Sequence, residues 1–135
     1  VNKEGVIYTL SLMDYIFSPI SADRVVLEST LRFAHRLNKA IVLTGKSKIK
    51  GLHLIWNMVD GREKTELYGV YEQIIAELHL SVLKTFLPDS KRFRRELPVS
   101  HKALFRSTIF PADKVLLKGS NIETLVEEIL EIINS

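Results

Sequence analysis

Residues 50–60 read KGLHLIWNMVD, and the segment 52–56 within them is almost entirely apolar. An apolar run of this length, without alternating polar residues, is typical of a parallel β-strand that is covered on both faces. Two polar residues, Asn57 and Asp60, follow the run. In open parallel sheets, ligands bind beyond the carboxyl ends of the strands. The stretch therefore predicts a buried parallel strand with polar groups where a ligand would bind.

The segments on either side continue an alternation of strands and helices. Residues 14–20 (DYIFSPI) and 81–88 (SVLKTFLP) predict two further strands, the first stopped by Pro19. Helices are expected at 4–13, 21–41, 61–80 and 89–97, and a last helix is expected after Ser120. This alternation predicts an α/β fold, a parallel β-sheet flanked by helices. No internal repeat or low-complexity linker interrupts it, so residues 1–135 are expected to form a single domain.

Two of these helices carry clear start signals and apolar stripes. Ser21 is the expected N-cap of the first long helix, and its inward candidates are Val25, Leu27, Leu31, Ala34 and Leu37. The segment Ser120–Glu123 has the spacing of a capping box. The expected apolar stripe of the last helix consists of Leu125, Val126, Ile129, Leu130 and Ile133.

Composition limits the class of protein. The 135 residues are 46% hydrophobic and 26% charged, as in ordinary globular domains. The absence of cysteine excludes disulfides and thiolate metal sites, and favours a cytoplasmic location. No apolar run is long enough to cross a bilayer, so no membrane partner is expected. Residues 84–118 contain nine Lys or Arg against three Asp or Glu, which indicates one anion-seeking face.

The segment 40–47, AIVLTGKS, ends like a phosphate-binding loop. A working loop needs G-x-x-x-x-G-K-[ST] between a strand and a helix. Ala40 occupies the place of the first glycine, and a predicted strand follows Ser47. We therefore interpret Gly45–Ser47 as a basic surface turn.

Candidate binding residues are few. Asn57 could read a base edge or fasten the following turn. A basic cluster, Lys91, Arg92, Arg94 and Arg95 around Phe93, could bind phosphate backbone together with Arg62, or be a solvated face. The histidines lack ligand spacing, and no paired carboxylates or nucleophile motif appear, so no catalytic or metal-binding residue is predicted.

Several segments together resemble the ParA/MinD-type partition ATPases, and most of all the ParA-like (TraA) proteins of conjugative transposons. They are MDYIFSPISADRVVLEST (13–30), HLIWNMVDGREKTELYGVYEQIIAEL (53–78), TFLPDSKRFRRE (85–96) and FRSTIFPADKVLLKG (105–119). The resemblance covers essentially the whole chain, although no single short motif in it is specific.

The resemblance implies the C-terminal half of a three-layer P-loop fold. Family members begin with G-K-G-G-x-G-K-[ST] and later carry D-x-P-G, after which Val1 of this chain would fall. Both motifs are missing here, so the polypeptide alone is expected to lack ATPase activity. ATP and Mg²⁺ are implied as cofactors of the intact protein, and none for this chain.

The resemblance also assigns roles to residues. Asn57–Asp60 match the strand end that borders the nucleotide base, and Pro88 and Asp89 match a turn that lines the same pocket. Arg62 and the arginines of Lys91–Arg95 match positions near those that bind DNA nonspecifically. A centromere-binding adaptor is the implied protein partner.

Two expectations concern association and the competing function. Residues 13–20 would form a strand whose missing neighbour carried the phosphate loop. An exposed strand edge is a template for pairing, so the chain is expected to dimerise or swap elements there. The alternative function is a stand-alone α/β protein-interaction module without a nucleotide role, in which the basic residues are only surface charge.

Overall fold

The computed structural model describes residues 3–42, 48–62, 65–89 and 114–135. Its strands are β1 (Tyr15–Ile20), β2 (Gly51–Trp56) and β3 (Ser81–Val82). Its α-helices are α1 (Lys3–Ser11), α2 (Arg24–Leu37), α3 (Thr65–Glu77), α4 (Lys114–Leu117) and α5 (Ile122–Asn134), and a π-helical turn, Asn38–Val42, follows α2. The predicted helix at 89–97 lies outside the described residues, apart from Asp89.

The three strands form one parallel sheet in the order β1-β2-β3. The pairing runs from Tyr15 opposite Gly51 to Ile20 opposite Trp56. The predicted α/β fold with a parallel sheet is therefore confirmed. Among the described residues, no helix has the length and apolar character needed to span a membrane.

Helices cover both faces of the sheet, and the alternation of side chains along β2 divides the core accordingly. Leu52, Leu54 and Trp56 pack with α2 and α3 in the larger cluster, which we call the major core. Ile55 faces the other way and packs with Leu83 and with Leu125 of α5 in the minor core.

Helix α2 begins later than predicted. Its N-cap is Asp23, not Ser21, because the Asp23 carboxylate accepts the N–H of Val26 at 3.1 Å. Four of the inward candidates, Leu27, Leu31, Ala34 and Leu37, are buried as predicted. The prediction for Val25 is wrong, since this residue is 77% exposed on the opposite side of the helix.

Strand β3 is shorter than the predicted 81–88. The N–H of Leu83 still donates to Leu54 and that of Leu87 to Trp56, both at 2.8 Å. Between them, the N–H groups of Lys84 and Thr85 donate to the carboxylate of Glu128 in α5, at 2.9 and 2.8 Å. The Glu128 side chain of α5 thus takes the place of some of the hydrogen bonds that a longer β3 would form with β2.

The start of α5 also differs from the prediction. Ser120 is buried, but its hydroxyl donates to the carbonyl of Leu117 and accepts from the N–H of Ile122. The N-cap is Asn121, in the left-handed conformation with φ 63°, and its amide donates to the carbonyl of Phe86 at 3.0 Å. The expected Ser120–Glu123 capping box is therefore absent, because the serine fastens the preceding turn instead.

Strand β1 lies at one edge of the sheet. The N–H of Asn57 donates to the carbonyl of Ile20. Because backbone groups alternate in direction along a strand, those of the even-numbered residues of β1 face β2. Those of Tyr15, Phe17 and Pro19 face the other edge, where no strand of the described chain pairs with them. Pro19 removes one donor from this edge, a position where proline is tolerated.

Candidate functional site

Two chain segments meet beyond the carboxyl end of β2. Val59 and Pro88 form an isolated parallel bridge. The N–H of Val59 donates to Leu87 at 3.0 Å, and the N–H of Asp89 donates back to Val59 at 2.9 Å. The structure therefore brings together the two groups of candidate residues, Asn57–Asp60 and Pro88–Asp89, which are far apart in sequence.

An open cavity of about 280 Å³ adjoins this meeting point. Its wall is mostly apolar and aromatic, and consists of Trp56, Val59, Asp60, Gly61, Tyr68, Glu72 and Phe86. The rings of Trp56 and Tyr68 pack edge to face, with centroids 4.9 Å apart. Phe86 is 44% exposed. Concave, largely apolar walls with a few polar groups are typical of small-molecule sites.

Helix α3 holds the tryptophan in place. The indole N–H of Trp56 donates to the Glu72 carboxylate at 3.1 Å, and the Tyr71 ring packs nearby. Sequence reasoning missed Trp56, Tyr68, Glu72 and Phe86 as site residues. The available signal was the position of Trp56 at the strand end, together with Tyr68 and Glu72, which share one side of a helix at four-residue spacing.

Asp60 and Arg62 form a closed local turn. The Asp60 carboxylate accepts the backbone N–H of Arg62 at 2.9 Å and its Nε at 3.2 Å. These hydrogen bonds, the backbone one first, hold the pKa of Asp60 below its usual value. The Asp60 carboxylate in turn raises the pKa of Arg62, and Asp89 adds to this effect. A phosphate at Arg62 would therefore compete with two carboxylates of the same protein.

Asn57 fastens the turn that follows β2. Its side-chain oxygen accepts the N–H of Met58 at 2.9 Å, and Met58 has a positive φ of 52°. The side-chain Nδ2 makes no hydrogen bond within the described part of the chain. The turn-fastening contact is thus present, and the amide still has donor capacity for a ligand.

Other predicted residues lie outside the described residues. Lys91, Arg92, Arg94 and Arg95 are among them, and so is the Gly45–Ser47 segment. Beyond that segment, residues 48–50 lead directly into β2, as the interpretation of a surface turn requires.

Among the described histidines, His53 is the one in a strand, and it lies in the sheet as a structural residue. His53 stacks on Phe17 with ring centroids 5.4 Å apart. Burial lowers the pKa of His53, and the negative charge of Glu128 partly offsets that effect. Over residues 3–42, 48–62, 65–89 and 114–135, no cluster of three or more His, Asp or Glu side chains could hold a metal ion.

Comparison of the chain with protein-family models, with curated proteins and with solved structures gives no match. The functional interpretation therefore depends on the geometry at the end of the sheet and on the resemblance described above.

Proposed function

We propose that this chain is the base-side portion of a ParA-like ATPase of mobile DNA, acting in partition or conjugative transfer. In this proposal the cavity beside Trp56 accepts the base of a nucleotide. The observation that carries the proposal is the meeting of residues 57–60 and 86–89 around an aromatic cavity at the carboxyl end of a parallel sheet.

The chemistry of the wall favours a planar ring over a phosphate. Phe86 and Tyr68 offer aromatic surface on which a base can pack. Of the residues that the resemblance assigns to the base side, Asp60 lines the cavity, and Asn57, Pro88 and Asp89 belong to the two segments that meet beside it. Asp60 and Glu72 line the same cavity as carboxylates, so a phosphate inside it would be repelled.

The residues of the cavity wall thus fit the base of ATP. The phosphates of the nucleotide would need binding groups that these residues do not provide. The sequence contains no G-K-G-G-x-G-K-[ST] motif, so a phosphate loop with its Mg²⁺ would have to come from another polypeptide segment. When bound, ATP would supply the energy of hydrolysis. The role of this chain is to hold and orient the base.

The second part of the proposal is a nonspecific DNA-binding face in a cytoplasmic protein, with a centromere-binding adaptor as partner. Its residues are Lys91, Arg92, Arg94 and Arg95, with Arg62 as a minor contributor because Asp60 already engages it. Lys and Arg contacts to phosphates give binding that weakens steeply with salt. Dimerisation over the open edge of β1 belongs to the same proposal.

The test uses Trp56, the only tryptophan of the chain and part of the cavity wall. Adenosine and ATP are titrated while tryptophan emission is followed. Because the cavity contacts only the base, both ligands are expected to change the emission with similar affinity, and ribose 5-phosphate is expected to have no effect. Phe86→Ala should weaken adenosine binding roughly tenfold, about the contribution of one stacked ring.

A matched control is Phe33→Ala, which removes an exposed phenylalanine of α2 that is not part of the cavity wall. This variant should bind adenosine normally. Equal binding by the Phe86 and Phe33 variants, or no response to adenosine at all, would reject the base-binding role.

For the DNA face, replacing Arg92, Arg94 and Arg95 by alanine should flatten the salt dependence of duplex binding; an unchanged slope would remove that face from the proposal.

The alternative is the stand-alone interaction module. It is favoured by apolar side chains that remain exposed on α2 and α5, such as Val25 and Leu130. A folded chain that ignores both adenosine and DNA would support this alternative.

A further inference from the structure

A groove between α1 and α2 shares no lining residue with the candidate base site. Its volume is about 440 Å³, and its apolar wall comes from Ile7, Val25 and Phe33. Val25 and Phe33 are 77% and 41% exposed, so the groove presents two large apolar side chains to solvent.

The charges of this groove are unbalanced. Glu28 lines it, but Arg24 pairs with that carboxylate at 3.2 Å. Arg32 and Arg36, one helical turn apart, also line the groove, and neither forms an ion pair within the described residues. Like charges at this spacing repel each other on an isolated helix. The groove is therefore apolar with a net positive rim, and its chemistry fits an acidic, amphipathic helix.

Helix α5 has the complementary surface. One side packs on the sheet through Leu125, and a neighbouring apolar stripe remains outward. That stripe consists of Val126, Leu130 and Ile133, which are 43–50% exposed. Beside it, Glu123, Glu127 and Glu131 follow each other at four-residue intervals, and none has a cationic partner in the described part of the chain.

We propose that the outward stripe of α5 docks in the α1–α2 groove of a second copy of this chain. Glutamates and arginines both repeat every four residues, or about 6 Å along a helix axis. Two Glu–Arg pairs can therefore align at once while the apolar stripe covers Val25 and Phe33. With 14 residues in α2 and 13 in α5, the two helices match in length.

This contact is heterologous, because α2 and α5 cover opposite faces of the sheet. Each copy then offers a free groove on one face and a free α5 stripe on the other. Such contacts extend into rings or open chains and do not stop at a dimer. The inference concerns a surface distinct from the β1 edge, and it stands whether or not the cavity at Trp56 binds a base.

Sedimentation velocity over a concentration series tests the proposal. The unmodified chain should grow beyond a dimer with concentration in about 0.05 M salt, and association should weaken in about 0.5 M salt because the ion pairs are screened. Arg32→Glu with Arg36→Glu should weaken association at least about tenfold, and so should Glu127→Lys with Glu131→Lys. A chain that carries all four substitutions should associate again, since both surfaces are then reversed.

Matched controls change the same charges elsewhere. Lys48→Glu with Lys50→Glu, and Glu66→Lys with Glu77→Lys, alter exposed residues outside both surfaces and should leave association intact. Circular dichroism verifies that every variant is folded. A monomer at all concentrations, or no recovery in the folded four-substitution variant, would overturn the proposal. Association that is indifferent to salt and to all these variants would also overturn it, and would assign the contact to the β1 edge.

Discussion

The two faces of the sheet differ in what covers them. On the major-core face, α2 and α3 bury an entirely apolar cluster around Leu54, which is 0% exposed. On the minor-core face, α5 is the only helix in the described part of the chain that packs on Ile55 and Leu83, and its one buried residue, Leu125, remains 9% exposed. Polar groups enter both layers: Asn38, next to Leu37 of the major core, is 4% exposed and donates to the carbonyl of His79. On the minor-core face, His53 and Glu128 bring ionisable side chains against the sheet.

The difference indicates that the two layers are stabilised by different forces. The major-core face relies on close apolar packing, where each removed methylene leaves a cavity. The minor-core face combines less burial with hydrogen bonds between a helix carboxylate and the backbone of the irregular strand. We therefore expect substitutions on the two faces to differ in size and in pH dependence.

The largest expected effect is on the major-core face. Leu54→Ala should lower the free energy of unfolding by about 4 kcal/mol, because the site is completely enclosed and cannot collapse around the cavity. Leu125→Ala should cost only about 2–3 kcal/mol, since fewer buried side chains surround it. Urea unfolding followed by circular dichroism measures both values.

The comparison requires that the two variants have the same denaturant slope as the parent chain, so that only stability has changed. If Leu125→Ala cost as much as Leu54→Ala, the two faces would be equally closed, and the distinction between them would fail.

A smaller loss is expected from removing the carboxylate that links α5 to the sheet. Glu128→Ala leaves the N–H groups of Lys84 and Thr85 without their acceptor, which should cost about 1–2 kcal/mol. Glu128→Gln should cost about half as much, because a neutral amide oxygen still accepts one hydrogen bond. Thermal unfolding of dilute protein gives the comparison, with Glu127→Ala as an exposed control that should be close to neutral.

The same carboxylate should make stability depend on pH. Burial alone would raise the pKa of Glu128, but hydrogen bonds from the Thr85 side chain and from the backbone of Lys84 and Thr85 outweigh it and leave the pKa lowered. Its contribution is therefore complete above the ordinary value of 4.5 and is lost as the pH falls through the lower folded value. The Glu128→Gln variant should lack this loss; an unchanged acid profile would contradict the assignment.

Patterns over several residues predicted the fold correctly, whereas single contacts decided the details. The apolar run in β2 and the stripe of α2 were sufficient for a parallel α/β sheet. The early end of β3 depends on Glu128, which is more than forty residues away in sequence, and no local pattern encodes such a contact. The prediction that Val25 faces inward failed for a related reason. Near the start of a helix, an apolar residue fits the stripe pattern whether it lies on the buried or on the exposed side of the helix.

Only the part of the candidate site that follows from the general geometry of parallel sheets could be predicted from the sequence. Because parallel strands end at one edge, the meeting of residues 57–60 with Pro88 and Asp89 could be expected. The aromatic wall could not, since Tyr68 and Phe86 come from two further segments whose approach depends on how α3 and the turn before Leu87 pack.

The smallest expected effect lies at His53, within the polar part of the minor-core face. Burial lowers its pKa below the ordinary 6.5, with Glu128 acting in the opposite direction. The folded state therefore disfavours the protonated ring. Its stabilising contribution is complete above pH 6.5 and declines as the pH falls from 6.5 to the lower folded value. His53→Phe should keep the stacking on Phe17 and remove the loss of stability that begins as the pH falls below 6.5.

A matched control is His79→Asn, at an exposed position with φ 58° that asparagine tolerates. This variant replaces a histidine outside the sheet, and its stability profile is measured beside that of His53→Phe. A second variant examines how tightly the ring is held, because a methyl group at Gly51 would lie 2.7 Å from the His53 Nε2. Gly51→Ala should displace the ring and destabilise the chain, and the loss should shrink when His53→Ala is combined with it. Additive losses would show that the ring has room to move, and that the minor-core face is looser than its contacts indicate.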